Sequence, residues 1–281
     1  EFATRLAGYR DRRRELADLI VELAETERYL RTFSIDRYPD GNEGPITDID
    51  PFTVMATFNR GTRDENRIRV AQVLGDALGV TAPLPTDFDG VPLVSNQNSW
   101  FINFAESRQP GDVDALWRVF IAAQDLADRD AADARTEFIE AFDDAQQVSG
   151  VWWNLTQGLY WARPHSFPTL EGRSRPFIAN HFSLEVTPGG EAYLRIIDEL
   201  SEKFDDEDVL ITSFPLLSYA AWSIEASGVT PHTVAGFAQW AIELDQSYDL
   251  EEREHNSKRL TAETLRRARH ELLRGSSTWI D

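Results

Sequence analysis

The sequence contains no cysteine and a single methionine among 281 residues. Without cysteine, the chain has no disulfide bridge and no thiolate metal ligand, which fits a cytoplasmic protein. No apolar run is long enough to cross a bilayer. No basic leader followed by an apolar stretch and a cleavage site indicates export. We therefore expect a cytoplasmic protein with no membrane partner.

Lysine is almost missing as well, since Lys203 and Lys258 are the only two among 28 basic residues. Arginine thus supplies nearly all of the positive charge, and the formal net charge is still −20. A protein this acidic is repelled at long range by the phosphate backbone of nucleic acids. Binding to DNA therefore requires a local basic surface that outweighs the overall field.

The motifs of common catalytic sites are absent. Neither lysine follows a glycine in a phosphate-binding loop, and no zinc-binding His-Glu-x-x-His or nucleophile-bearing Gly-x-Ser-x-Gly motif occurs. Two acidic groups, Asp48 with Asp50 and residues 205–208, suggest a metal site, but helix capping and a solvated turn explain them better. We predict a non-enzymatic chain with no catalytic residue, metal or cofactor.

Apolar periodicity predicts a mainly helical fold with a small β component, an α+β class. The predicted helices cover about 4–31, 62–79, 112 onwards, 133–147, 190 onwards, 214–226, 230 onwards and 261–274. The Trp-rich residues 151–167 are predicted to be strand and loop, because closely spaced aromatic residues are typical of strands. We expect a single domain over 1–281, or two lobes at 3–147 and 150–281. Glu1 and Phe2 resemble a remnant of cloning and were set aside.

The segment 151–181 is locally cationic, since its only acidic residue is Glu171. Aromatic side chains stack on bases, and arginine binds phosphate with two parallel hydrogen bonds. The alternative is that the large aromatic side chains fill the core. The segment therefore supplies candidate stacking residues and candidate phosphate contacts: Trp152, Trp153, Tyr160 and Trp161 for the first, and Arg163, Arg173 and Arg175 for the second.

A second basic cluster lies at a predicted helix start, and its candidate DNA contacts are Arg60, Arg63 and Arg67. Free amides and the helix dipole attract phosphate at such a position. Thr62 and Glu65 have the spacing of a capping box, and Gly79 is suited to end the helix. The alternative is a solvated helix face with Asp64 and Glu65 as ion-pair partners. A third basic stretch, residues 259–274, could bind nucleic acid or dock onto a following domain, but a solvated helix next to a domain junction is the favoured interpretation.

Three segments resemble the region ahead of the motor in McrB-type, 5-methylcytosine-specific restriction GTPases. They are IDPFTVMATFNRGTRDENRI at 49–68, FDGVPLVSNQNSWF at 88–101 and WNLTQGLYWARP at 153–164. The resemblance covers about residues 48–178. The rest of the chain matches that family only in being helical.

The resemblance implies a module that reads modified or distorted DNA for a GTPase motor of the parent chain and a partner nuclease. A flipped base would then stack in an aromatic pocket. The acidic net charge departs from that expectation and favours an alternative. In the alternative, the chain is a protein-interaction or regulatory module that docks on the motor or senses a phage protein.

Overall fold

The computed structural model describes residues 1–206 and 211–227, with side chains as far as Ser223. The helices predicted from residue 230 onwards and over 261–274 lie outside the described residues, as does the basic stretch 259–274. Within the described part, helices predominate, and the predicted mainly helical class with a small β component is confirmed. No helix of this part is both long and apolar enough to cross a membrane.

The α-helices of the described part are α1 (Phe2–Ala7), α2 (Arg13–Thr26), α3 (Pro51–Ala56), α4 (Asp64–Leu78), α5 (Asp112–Arg129), α6 (Ala132–Ala145), α7 (Asn154–Ala162), α8 (Ser174–Phe182), α9 (Gly190–Phe204) and α10 (Phe214–Ser227). Short 3-10 turns occur at Arg31–Phe33 and Asn96–Asn98. The strands β1 (Ile35–Arg37) and β2 (Glu43–Pro45) form an antiparallel hairpin in which Asp36 lies opposite Gly44.

Helix α3 is buried along its whole length and packs against α5 and α7. Asp50 caps it, since its carboxylate accepts hydrogen bonds from the backbone amides of Phe52 and Thr53 at 2.9 and 2.8 Å. Pro51 occupies the first helical position, where no amide donor is needed. The Thr53 hydroxyl in turn accepts the amide of Phe101 at 2.9 Å. The capping role predicted for the first acidic pair is thus confirmed for Asp50.

Helices α5 and α6 form an antiparallel pair, and α9 packs on α6. Their shared interior contains a stack of rings in which Phe142 and Phe167 lie 5.2 and 6.3 Å from Tyr193. The buried Tyr193 hydroxyl donates to the carbonyl of Pro168 at 2.6 Å, so the polar end of this ring is satisfied. Helices on both sides of residues 147–150 therefore pack together. The two-lobe division stays a prediction, because part of its second lobe lies outside the described residues.

The single helix predicted over residues 4–31 is wrong. Helix α1 ends at Ala7, where the Gly8 amide bonds back to the carbonyls of Arg5 and Leu6. Arg12 has a non-helical backbone, so α2 starts afresh at Arg13. The pattern used for the prediction belongs to α2 alone, and the residues before it continue no apolar stripe.

The strand and loop predicted for the Trp-rich segment are also wrong, because residues 154–162 form α7. This helix is buried on nearly every side, from Leu155 to Tyr160 without a break. A helix without a polar face shows no 3.6-residue stripe, so its aromatic residues looked like those of a strand.

The predicted capping box does not form. Helix α4 begins at Asp64 with Arg63 as its N-cap residue and without a side-chain cap. The Thr62 hydroxyl accepts the side-chain amide of Asn66 at 3.3 Å instead. The end of the helix is confirmed at Gly79, whose φ of 71° is the left-handed conformation that glycine adopts readily.

Glu1 and Phe2, set aside as a remnant of cloning, take part in the fold. The Glu1 carboxylate accepts the amides of Thr81 and Ala82 at 3.1 and 2.7 Å. The Phe2 ring meets that of Phe58 edge to face at 5.2 Å.

The Phe52 ring packs so closely against Gly158 that a methyl group added at this glycine should strongly destabilise the protein. A Cβ at Gly158 would lie 2.4 Å from Cδ1 of Phe52, whereas a Cβ at Gly172 meets no atom within 4 Å. We expect Gly158→Ala to lower the free energy of unfolding by roughly 1–3 kcal/mol through overpacking. The matched Gly172→Ala variant should be unchanged or slightly more stable. Equal urea-unfolding midpoints for the two variants would contradict this close packing.

A pH-dependent effect is expected at the α3 cap. Burial raises the pKa of Asp50 to about 6, from about 3.9 in an unfolded chain. The folded state then binds a proton more tightly than the unfolded state. The free energy of unfolding therefore falls as the pH rises from the unfolded-state pKa to the folded-state pKa of Asp50.

Asp50→Asn keeps an acceptor for the cap but removes the titration. The free energy of unfolding of the variant, relative to that of the wild type, should increase by up to about 3 kcal/mol as the pH rises from about 4 to about 7. Urea unfolding at a series of pH values measures this difference. A stability difference that does not change with pH would show that Asp50 titrates normally.

Candidate nucleic-acid interface

A groove of about 580 Å³ lies between the β hairpin, the turn at Arg60–Thr62 and the loop of residues 96–104. We call it the aromatic groove. Its walls combine aromatic and aliphatic side chains with two guanidinium groups, and the principal ones are Tyr29, Ile35, Arg37, Arg60, Trp100 and Phe104.

The apolar wall of the groove is a row of rings. Trp100 stacks on the buried Phe33 at 5.6 Å and at an interplanar angle of 26°. Phe104 follows at 5.9 Å from Trp100. Ile35 is 47% exposed, which is unusual for a large aliphatic side chain in a strand. These side chains present apolar surface to solvent on a backing that the core holds in place.

The cations of the groove stack on the same rings. The Arg37 guanidinium lies 4.8 Å from the Phe104 ring centre and pairs with Glu43 at 3.1 Å. The Arg60 guanidinium lies 4.7 Å from the Phe33 ring centre and donates to the carbonyl of Tyr29 at 3.1 Å. These contacts fix the direction of both groups.

One hydrogen-bond donor of Arg60, its buried Nε, is unpaired among the described residues. Desolvation lowers the pKa of Arg60, but arginine stays charged near neutral pH. The side chain therefore remains a cation at the wall of the groove, with one buried donor left unsatisfied by the described residues.

The backbone under the groove joins two distant parts of the chain. Arg60 and Val94 form an isolated parallel bridge, and the Val94 amide donates to the Asn59 carbonyl at 3.1 Å. The Asn96 side-chain amide reaches the Gly61 carbonyl at 3.0 Å. The two segments that meet here are among those that carry the family resemblance.

Of the predicted cluster at the α4 start, Arg60 lines the groove and Arg63 is exposed beside it. Arg67 is 2% exposed and donates to the carbonyl of Phe58 at 2.8 Å. Its guanidinium also lies 3.5 Å from the Phe88 ring centre, and burial lowers its pKa to about 10. The predicted DNA contact does not fit Arg67, because its donors already bind the interior of the protein.

In the Trp-rich segment, Trp152, Trp153 and Arg175 come together. Trp152 is 53% exposed and meets Trp153 edge to face at 6.0 Å. Arg175 lies 4.5 Å from the centre of the Trp153 ring. We call these three residues the tryptophan patch.

The remaining candidates of this segment belong to other contacts. Tyr160 is buried, which raises the pKa of its hydroxyl and removes the ring from any ligand. Trp161 donates from Nε1 to the Pro92 carbonyl at 2.9 Å. Arg163 pairs with Asp128 at 3.3 Å, and Arg173 is exposed. The segment thus serves mainly as core and as interhelix contact.

Sequence reasoning missed most of the aromatic groove. Tyr29, Arg37 and Phe104 were not candidates, and Trp100 was noted only within a motif. The groove is lined by residues from positions 29–43, 60–62 and 96–104. No sequence spacing predicts that these three segments lie side by side. Local enrichment, the signal used for the Trp-rich segment, does not detect a site of this kind.

A second depression, of about 700 Å³, is lined by residues of opposite charge from the α1–α2 turn, α5 and α6. Two of its arginines, Arg13 and Arg118, are engaged by acids. Arg13 pairs with Asp114 at 2.8 Å, and Arg118 bridges Glu137 and Asp144 at 2.8 and 2.5 Å. An anionic ligand would have to displace these carboxylates, so we assign the candidate site to the aromatic groove.

The neighbouring arginines of the α4 start separate a structural role from a surface role. Arg67→Ala leaves the Phe58 carbonyl and Asn59 unpaired, so we expect the free energy of unfolding to fall by roughly 3 kcal/mol. Arg63→Ala should change it by about 0.5 kcal/mol or less. Urea denaturation of both variants gives the comparison. If Arg67→Ala is as stable as Arg63→Ala, the buried network does not hold the α4 start.

No curated protein matches the chain significantly. No solved structure matches it significantly either. One family profile covers residues 1–224, which is most of the chain. The chain belongs to the family described as Domain of unknown function (DUF8425).

Proposed function

We propose that this domain is a non-catalytic DNA-recognition module of the cytoplasm, in which the aromatic groove receives one unstacked base. The observation that carries the proposal is the combination of two partly exposed rings, Trp100 and Phe104, with the guanidinium groups of Arg37 and Arg60. Aromatic faces accept any base by stacking, while arginines contact base edges or phosphate.

The geometry favours an unstacked base over a paired one. In a duplex both faces of a base are covered by its neighbours, so a ring such as Trp100 can stack only on a base that has left the helix or lies in a single strand. Arg60 is fixed by Phe33 and Tyr29 and brings its positive charge to the wall of the groove. Groups that are held in place before binding lose little entropy when a ligand arrives.

The charge of the surroundings allows such an approach despite the acidic total. The charged residues that line the groove are Arg37, Arg60 and Glu43, and the exposed Arg63 follows Thr62 of the lining. The acidic helices α5 and α6 contribute no residue to the groove. The acidic remainder would orient the domain so that this face meets the polyanion.

The resemblance to McrB-type restriction GTPases supports the same reading and suggests the partners. Two of its segments, 49–68 and 88–101, supply Arg60, Thr62, Asn96 and Trp100 to the groove. The proposed partners are accordingly DNA carrying a modified or distorted base, a GTPase motor of the parent chain and a separate nuclease.

A protein-interaction module is the second candidate, and the tryptophan patch favours it. Trp152 is 53% exposed although large aromatic side chains normally lie in the core. An exposed tryptophan beside an arginine is a common centre of protein interfaces. The motor and a phage protein are the partners to be considered for this face.

The test is fluorescence anisotropy with short labelled single-stranded, mismatched and fully paired DNA. Trp100→Ala should weaken binding by roughly 1–3 kcal/mol, the stacking energy of one base. Trp152→Ala is the matched control, since it removes an exposed tryptophan outside the groove, and it should leave the affinity unchanged. Single-stranded and mismatched DNA should bind more tightly than a perfect duplex, because they expose a base at lower cost.

Salt dependence gives a second reading of the same titrations. If Arg37, Arg60 and Arg63 each neutralise one phosphate, log affinity should fall against log salt with a slope of roughly −2 to −3. Absence of binding to all three DNA forms at low salt would refute the proposal. A loss caused by Trp152→Ala and not by Trp100→Ala would move the site to the tryptophan patch.

A further inference from the structure

The wall of the aromatic groove depends on one buried carboxylate. Asp36, the middle residue of β1, is 0% exposed. One of its oxygens accepts the backbone amides of Arg37 and Ala105 at 2.9 and 2.8 Å. The other accepts the Arg108 guanidinium at 2.9 Å. A strand residue on the side away from the groove therefore binds the loop that carries Phe104.

Arg108 completes the attachment from the side of the loop. Its side chain is 12% exposed, and its Nε donates to the carbonyl of Asn103 at 3.1 Å while a terminal nitrogen reaches Asp36. The amide of Glu106 donates to the carbonyl of Arg37 at 2.8 Å. Residues 103–108 are thus joined to β1 by three hydrogen bonds, two to the Asp36 carboxylate and one to the Arg37 carbonyl.

The attachment of the loop to β1 fixes the positions of Arg37 and Phe104 relative to each other. Arg37 follows Asp36 directly, and Phe104 precedes Ala105, whose amide the carboxylate holds. The Arg37 guanidinium lies 4.8 Å from the Phe104 ring centre as a result of this registry. Displacement of the loop would separate the cation from the ring and tilt the row formed with Trp100.

We propose that Asp36 and Arg108 are positioning residues that hold the Phe104 loop against β1 and thereby set the shape of the groove for its base. This inference rests on the proposed function of the groove. Neither residue touches the ligand. They act through Phe104 and Arg37, and small displacements of such groups lower affinity strongly.

The experiment compares Arg108→Gln with Arg108→Lys in the full chain. Arg108→Gln removes the charge opposite Asp36, and we expect affinity for labelled single-stranded DNA to fall by about tenfold. Lysine retains the charge and can still reach Asp36, so Arg108→Lys should recover most of the affinity. Leu200→Ala, in the core of α9, is the matched control for lost stability and should bind as the wild type does well below its melting temperature.

Hydrogen exchange gives a reading that does not require a ligand. In Arg108→Gln the amides of Ala105 and Glu106 should exchange faster, while those of α5 and α9 keep their protection. In Leu200→Ala the amides of α5 and α9 should exchange faster, while those of Ala105 and Glu106 keep their protection. Unchanged exchange at Ala105 and Glu106 would overturn the inference, and so would an equal loss of affinity in Leu200→Ala. If the wild type binds no DNA, the proposed function fails, and the exchange measurement still decides whether the ion pair holds the wall.

Discussion

The complete burial of α3 is the constraint on which the rest of the structure depends. A six-residue helix with no exposed side chain leaves its end groups in the interior, where each unpaired amide or carbonyl is costly. Asp50 satisfies the first turn, and Thr53 passes the contact on by accepting the amide of Phe101. Gly158 then allows α7 to approach the Phe52 ring closely. One short helix thereby connects three segments that lie far apart in the chain.

Such contacts also explain several residues of the three segments, 49–68, 88–101 and 153–164, that resemble McrB-type GTPases. Arg67 of the first segment is stacked on Phe88 of the second. Gln157 and Trp161 of the third donate to the carbonyls of Leu93 and Pro92 in the second. Most of the motif residues thus hold the segments to one another, and few of them face solvent. The resemblance is carried largely by the requirements of the fold, so the proposed site is sought where the segments reach the surface.

The same distinction shows how much could be predicted from the sequence. Helices with one apolar stripe, such as α5 with Leu116 and Phe120 buried, were located because burial on one side leaves a 3.6-residue pattern. Helix α7 was missed because burial on nearly all sides leaves no pattern. Of the candidate site, only Arg60 and Arg63 could be anticipated, from their position at a helix start. Trp100, Phe104 and Arg37 meet through tertiary packing alone, which no local rule describes.

The distribution of arginine bears on the proposal that so acidic a chain binds DNA in the aromatic groove. On α5 and α6 the arginines are taken up by neighbouring acids: Arg118 bridges Glu137 and Asp144, and Arg129 bridges Asp125 and Asp133. Such surface pairs add little stability individually, but they cancel the positive charge of that face.

Around the groove, by contrast, Arg60 stacks on Phe33, and an aromatic partner leaves the positive charge in place. Arg37 stacks on Phe104 and also pairs with Glu43. A ring also takes none of the donors of a guanidinium, but Glu43 and the Tyr29 carbonyl each accept one, so only the remaining donors are available to a ligand. Affinity built in this way comes from stacking and a few oriented donors more than from total charge. It would favour a displaced base over the uniform backbone of duplex DNA, because the acidic remainder of the surface disfavours every contact that the backbone alone could make.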